Sequence, residues 1–517
     1  MSRAVRNLLE EFDNSDDWKN IEKLLFHLPR ENIKKIAEDL NCSFENTFIY
    51  DMIILLKSKG LSVETTFIRI LCLCDNFSWI QVTENGFRIL SCREFLDQNL
   101  PSNFVDFKIN QRTEIFRSSS DISRMLELLD ITKSVHKDKW FEAYNSYIKL
   151  LDYLENLGDL PHILQLPAFL QKYTALGAII IGLNRAVTLL ESCKRYEDEE
   201  AIFLLKKLLN LNKTEEFRGH WYERLAHILS KDPVRCFEET EMAFTDERIP
   251  LWRRLQLRQI NDKIAENVNL PEIPITQTIQ GTRVKFCFGE KRRKAVWLYE
   301  KVLGSVEEFC LHTLLSDDPG SQGVHDEGRL FKSLLVLLFW DCIYKVDVPD
   351  VFRSRMQLSP LDWDTKHFSE AREDEIHKRL NFLESLTIDQ VAEEAVSMWK
   401  RHNGVKCLVF WDILPSAEYL KGLVLCFEPE CLMKVMRRLI MDHMGHKYGF
   451  PDLTLWNTQE KTVRFVEVKG TDKLSTKQIL WIQFLREECG FKTDVYHVEA
   501  SEERHFQNEE HLHHSFE

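Results

Sequence analysis

Apolar residues in the first third of the chain fall at helical spacing. In "NIEKLLFHLPRENIKKIAEDLN", Leu24, Leu25 and Leu28 precede Pro29, and Ile33, Ile36, Ala37 and Leu40 follow it. This pattern predicts two short helices with Lys34 and Lys35 on the outer face. Residues 104–116, "FVDFKINQRTEIF", alternate as a strand pair would. From about 129 to 262, "DKWFEAYNSYIKLLDYLENL", "LGAIIIGLNRAVTLLESC", "EEAIFLLKKLLNL" and "GHWYERLAHILSK" read as successive antiparallel helices. Their size and pairing predict a helical-repeat array, although no strict period of about 34 residues aligns. The Pro-containing, β-branched stretch 268–288 breaks that pattern and marks a boundary. Beyond it, "GFPDLTLWNTQEKTVRFVEVKG" (449–470) alternates as a hairpin. "STKQILWIQFLREE" then follows as an amphipathic helix, with Ser475 and Gln478 as its capping box. "CGFKTDVYHV" adds a stop at Gly490 and a further strand, and the order β-β-α-β implies an α/β sheet core.

The expected architecture is therefore multidomain and mainly α. It comprises an N-terminal helical region (1–128), a helical-repeat middle (129–262) and an α/β domain (263–502). The polar residues 503–517 are expected to be a disordered tail. A length of 517 residues agrees with several domains at roughly one per 150 residues. The most apolar run, "ALGAIIIGLNRAVTLL", is broken by Asn184 and Arg185 and is too short to span a bilayer, so a buried helix is expected. The N-terminal stretch has no apolar core followed by a cleavage site, and no signal peptide is indicated. Thirteen cysteines lack metal-ligand spacing, and Cys72 and Cys74 form a lone CxC, so a reducing compartment is expected and a zinc site is not. The net charge of −14 argues against a non-specific nucleic-acid binder, which must neutralise phosphates. Basic residues nonetheless cluster at 217–225, 248–258, 289–297 and 434–439, which permits a basic groove on an acidic body.

The chemistry concentrates in the hairpin. Alternation puts Glu467 and Lys469 on one face of their strand, with Val466 and Val468 on the other. Asp452 lies 15 residues before Glu467, at the start of the partner strand. A turn near "TQEK" brings two carboxylates and an ammonium into one small volume at an edge of the sheet. Such a group suits Mg²⁺ or Mn²⁺, which polarises a phosphodiester and acidifies water. The alternative is a surface hairpin with a cross-strand ion pair. Pro451, Gly449, Gly470 and the "KQ" of the next helix favour the metal site, because glycines let backbone and side chains crowd together.

At these residues the chain resembles the virus-type replication–repair nuclease family of the restriction-endonuclease-like PD-(D/E)xK superfamily. Within it, the resemblance is strongest to the Fanconi-associated nuclease 1 family. "GVHDEG" (323–328), "LLFWDCIY" (337–344), "PDVFRSRMQLSPLDW" (349–363) and "RGHWYERLA" (218–226) resemble segments of that family in the same order. The first helix pair resembles its SAP-type DNA-binding element, and the middle is TPR-like. The resemblance implies a nuclear, structure-directed DNA nuclease, a 5′-flap endonuclease and 5′–3′ exonuclease in interstrand-crosslink repair. It implies Asp452 and Glu467 as metal-binding carboxylates, the Val468 carbonyl as a backbone ligand and Lys469 as catalytic lysine. It also implies Glu327 as a metal ligand contributed from a helix; otherwise Glu327 passes for a helix-N-terminal charge beside Asp326.

Two departures stand out. No Cys/His set of this sequence forms the ubiquitin-binding finger of the larger family members, which puts recruitment through ubiquitin in doubt. The family's DNA-contacting residues are matched in part, by Arg218, His220 and Arg224, and loosely by Arg253 and Arg254. Arg224 either touches phosphate or braces its helix through Glu223 or a neighbour. Lys34, Lys35, Arg437 and Arg438 complete the candidate groove. Flapped or branched DNA is the expected partner, with repair-complex proteins possible and no membrane. The rival functions are an inactive DNA-binding repair scaffold and a Holliday-junction or RNA nuclease.

Overall fold

The computed structural model describes residues 16–506, apart from 29, 40–51, 54–55, 58–59, 61–62, 74–79, 84–85, 90–94, 96–102, 118, 136–138, 158–159, 193–197, 212–214, 265–272, 287–295, 300–301, 356 and 471. These residues form two compact units. One holds the chain up to 249 together with 347–362 and 405–407; the other holds 250–346, 363–404 and the chain from 408 onward.

The first unit opens with α1 (Asp16–His27), α2 (Arg30–Asp39) and α3 (Val63–Leu73), then a hairpin of β1 (Ile80–Thr83) and β2 (Gly86–Ile89). Leu24, Leu25, Ile33 and Ile36 are buried and Lys34 and Lys35 exposed, as the helical spacing requires. The strand pair expected at 104–116 does not form, and only Phe104 makes an isolated bridge, to Lys406. The alternation instead serves a clasp with 347–362. Phe107 stacks on Phe352 at 4.0 Å, and Asp350 accepts from the Arg112 and Thr113 amides, both at 2.9 Å. The Asp350 carboxylate also accepts from Arg353 at 2.6 Å, and both side chains are buried. This extended segment thus satisfies its backbone with a loop from distant sequence rather than with a second strand.

The longer helices that follow among the described residues are α4 (Ser119–Lys133), α5 (Trp140–Glu155), α6 (Ala175–Ser192), α7 (Asp198–Leu209), α8 (Glu215–Ile228) and α9 (Pro233–Thr245). The apolar run of the sequence is α6, whose Ile179, Leu183, Ala186 and Val187 are buried among α4, α5 and α7. Among the described residues, no helix is long and apolar enough to cross a membrane.

The second unit begins at Pro250, so α10 (Leu251–Ile264) is grouped with it by compactness. Among the described residues its sheet has seven strands: β3 (Gln277–Phe286), β4 (Val296–Tyr299), β5 (Val302–Gly304), β6 (Gln322–His325), β7 (Leu453–Asn457), β8 (Thr462–Lys469) and β9 (Lys492–Phe506). The order is β5-β4-β3-β9-β8-β7-β6, with β9 parallel to both β3 and β8. The hairpin β7–β8 is therefore interior, flanked by β6 and β9, and not at an edge. β9 runs to Phe506 and pairs with β3 to its end, so residues 503–506 are strand rather than tail. The tail residues 507–517 lie outside the described residues. One face of the sheet buries Leu453, Leu455, Val466, Val468, Tyr496 and Val498 against α11 (Val306–Asp317). The opposite face carries α12 (Arg329–Leu338) and α13 (Thr476–Gln483), where Phe465 packs edge to face with both Phe331 and Phe450.

Candidate active site

Strand register builds the site. Leu453 pairs with Val466, which brings Asp452, one residue earlier, beside Glu467. His325 pairs with Leu453, which brings the chain after β6 alongside Asp452 from the other side. The amides of Asp326 and Glu327 both donate to the Asp452 carbonyl, at 3.0 and 3.2 Å. The 325–327 turn, far away in sequence, thus joins the two strands of the hairpin at one end of the interior strands.

Glu327 does not come from a helix. It sits on the turn between β6 and α12 with φ at +47°, a left-handed conformation that a glutamate adopts only when its surroundings hold it there. Gly328 follows at φ +76°, where a Cβ would lie 2.8 Å from Phe450. The neighbouring carboxylates divide the labour. Asp326 is buried and accepts from the Leu330 amide at 3.0 Å and the Thr454 hydroxyl at 2.7 Å, anchoring the first turn of α12. Burial, partly offset by these bonds, raises its pKa to about 6. Glu327 is left projecting, its side chain 70% exposed.

Asp452 is fixed by the Val468 amide, which donates to its carboxylate at 2.8 Å. Burial raises its pKa, against the pull of that bond and of Lys469. Glu467 is fully buried; its Oε1 lies 2.9 Å from Lys469 Nζ and accepts from Gln478. Burial and then the Asp452 charge push its carboxyl up to about 8, with Lys469 opposing. Gln478 is itself held by the capping box at the start of α13, so the cap that begins the helix also aims a donor into the site. Gly449, at φ +91°, leaves the space taken by Lys477, whose Nζ lies 3.6 Å from the Trp252 ring centre on α10.

These residues fit a divalent cation. Glu467 Oε2 is buried without a hydrogen-bond partner, and one ligand atom from each of His325, Glu327 and Asp452 lies within 4.8 Å of the others. Carboxylates crowded together and stripped of water call for a positive charge. His325 was not among the residues singled out from sequence, and Gln478 was read there as a helix cap and as part of the "KQ" that favours the site, not as a donor to Glu467. His325 has no spacing relation to Asp452, and only the β6–β7 register brings it in.

The basic residues proposed for DNA are placed differently. Arg218 is buried, with Nε donating to Asp246 at 2.8 Å and Nη1 to the Leu209 carbonyl at 2.7 Å. Arg224 makes a two-pronged pair with Glu191 on α6, and His220 is half-buried on the same helix. Arg253 is buried with its guanidinium 4.4 Å from the Trp252 ring centre, and Arg254 is half-buried. Arg437 pairs with Glu384 at 2.5 Å. Arg438 lies 4.1 Å from the Phe484 ring centre.

Comparison with known proteins agrees with this architecture. The VRR-NUC domain family matches residues 388–500, and the family described as Fanconi-associated nuclease 1, TPR domain, matches residues 119–261. Glu327 and His325 lie outside both matches. The chain is 32% identical over 436 residues to Fanconi-associated nuclease 1 of Mus musculus and 31% identical over 436 residues to that of Homo sapiens. Each alignment covers 77% of this chain and 42% of the relative, so the chain spans well under half the length of these relatives. A crystal structure of paFAN1 bound to 2nt 5′-flap DNA with gap shares the fold at a TM-score of 0.60 and 17% identity, covering 92% of this chain and 82% of that one. The middle of the chain is thus a TPR-like helical domain and its C-terminal part a VRR-NUC nuclease domain.

Proposed function

The chain belongs to the Fanconi-associated nuclease 1 family, and from that premise we propose that it is a metal-dependent, structure-specific DNA nuclease. Its proposed substrates are 5′ flaps, cut endonucleolytically and trimmed from the 5′ end. Its proposed setting is interstrand-crosslink repair in the nucleus. The observation that carries the reading is the convergence of Asp452, Glu467, Lys469 and Glu327 at one end of the interior strands. The flap DNA held by the paFAN1 structure supports the choice of substrate.

In this reading Asp452, Glu467, Glu327 and the Val468 carbonyl hold a Mg²⁺ or Mn²⁺ ion. That ion supplies charge neutralisation at the phosphodiester and a water of lowered pKa. The chain's own groups do the rest. The Val468 amide keeps the Asp452 carboxylate from rotating, and Gln478 does the same for Glu467. Lys469 offsets charge developing on the phosphoryl oxygens and helps to orient the attacking water. The buried walls keep these groups desolvated, where each interaction is stronger than in water.

The test is incubation of purified protein with labelled flap, Holliday-junction, single-stranded and RNA substrates in Mg²⁺ or Mn²⁺. Flap cleavage that Asp452→Ala abolishes is the expected result. Equal turnover by that variant, or no cleavage of any substrate in either metal, ends the proposal.

A further inference from the structure

We propose that His325 is a ligand of the active-site cation and biases that site toward Mn²⁺ over Mg²⁺. The inference rests on the nuclease reading and deepens it. The His325 Nε2 atom is buried and has no hydrogen-bond partner. The Glu327 carboxylate oxygen lies 3.6 Å from it, beyond hydrogen-bonding distance. That spacing suits two atoms that share an ion rather than a proton. Ligands about 2.1 Å from an octahedral centre sit about 3.0 Å apart when adjacent and about 4.2 Å apart when opposite. The ligand atoms of His325, Glu327 and Asp452 lie within 4.8 Å of one another, so one ion can reach all three with small adjustments.

The fold holds the imidazole there for reasons independent of any metal. His325 ends the four-residue strand β6, paired opposite Leu453, and the next two amides are tied to the Asp452 carbonyl. The backbone on both sides is therefore fixed. A histidine needed only for packing would be expected to satisfy a buried ring nitrogen with a carbonyl or hydroxyl.

The chemical consequence follows from ligand type. Mg²⁺ demands oxygen donors and keeps much of its hydration shell, whereas imidazole is a normal ligand for transition metals. Replacing one oxygen position by a nitrogen costs Mg²⁺ more than Mn²⁺. Carboxylates alone would not discriminate in this way.

The experiment uses the full chain and Mn²⁺ as probe. Binding is read from loss of the free-ion electron paramagnetic resonance signal, and the ligand sphere from electron spin-echo modulation. A ¹⁴N coupling is expected on bound Mn²⁺, replaced by a ¹⁵N coupling when only histidine is labelled with ¹⁵N. In His325→Ala the coupling is expected to vanish and the Mn²⁺ dissociation constant to rise about tenfold or more. The Mg²⁺ competition constant should change far less. Tightly bound Mn²⁺ without a histidine nitrogen coupling in the wild-type protein overturns the proposal, whether or not the variant folds. So does equal weakening of both metals in His325→Ala. Asp452→Ala separates this inference from its premise: Mn²⁺ binding that survives the change places the ion outside the active site and overturns the His325 assignment alone, whereas flap cleavage that survives it overturns the nuclease reading.

Discussion

In the helical unit Arg218 meets Asp246, which also accepts from Arg248, and Arg224 grips Glu191 with both prongs. At the end of β7 and β8, Asp452 lies beside Glu467, with Glu327 closing from a third segment and Lys469 as the near cation. Burial opposes ionisation in both places. Hydrogen bonds from Arg248 and Arg218 overcome it at Asp246 and hold its carboxyl below the usual value. At Glu467 burial and a like charge win, and the pKa climbs to about 8. Charges that complete one another stabilise a fold, whereas charges crowded against their own sign need something from outside. The second arrangement marks the site, and the first explains why several arginines that look suited to DNA are already engaged by the protein's own carboxylates.

The contrast can be broken in four ways. The largest expected effect is on turnover. Asp452→Ala should lower flap cleavage by at least about 10³-fold, the scale of losing a principal electrostatic stabiliser, while DNA affinity stays near wild type. A variant that keeps cutting would put the reactive centre elsewhere.

Arg218→Ala should act on stability instead. Removing one member of a buried, hydrogen-bonded pair costs on the order of 3 kcal/mol or more, read by chemical denaturation. Loss of DNA affinity at unchanged stability would mean that Arg218 reaches phosphate after all.

Glu467→Gln should abolish cleavage yet stabilise the metal-free protein. Between the usual value of 4.5 and about 8, folded Glu467 keeps a proton that the unfolded chain has released. Stability therefore falls as pH rises through this window, by on the order of 3 kcal/mol at pH 7, and the loss is complete above about pH 8. The variant should flatten that pH dependence in thermal or denaturant unfolding. Identical pH profiles for the two proteins would show that Glu467 is already ionised without metal.

The smallest effect is expected at Arg224→Ala. Its ion pair with Glu191 is partly exposed, so about 1 kcal/mol of stability should be lost. The slope of log affinity against log salt should not move. A slope shallower by about one unit would restore Arg224 to the phosphate-binding groove.

Local pattern was enough to read the hairpin, the capped helix after it and a further strand, because alternation, capping and turn chemistry are properties of neighbouring residues. The same pattern put Asp452 beside Glu467 and Lys469, since one tight turn fixes the register of 449–470. It also made α6 a buried helix, from an apolar run too short for a membrane. Local reading failed wherever a segment's partner was far away in the chain. The alternation at 104–116 met the loop 347–362 and formed a clasp, not a strand pair. Residues 503–506 became strand because β3 offers them a continuous parallel partner. His325 and Glu327 enter the site through the pairing of β6 with β7, a register across 128 residues that no local spacing encodes. Sequence by itself determined the elements and the chemistry that one hairpin can assemble. Tertiary structure decided which charges are neutralised within the fold and which remain crowded, because that depends on what each buried carboxylate or guanidinium meets when distant segments close over it.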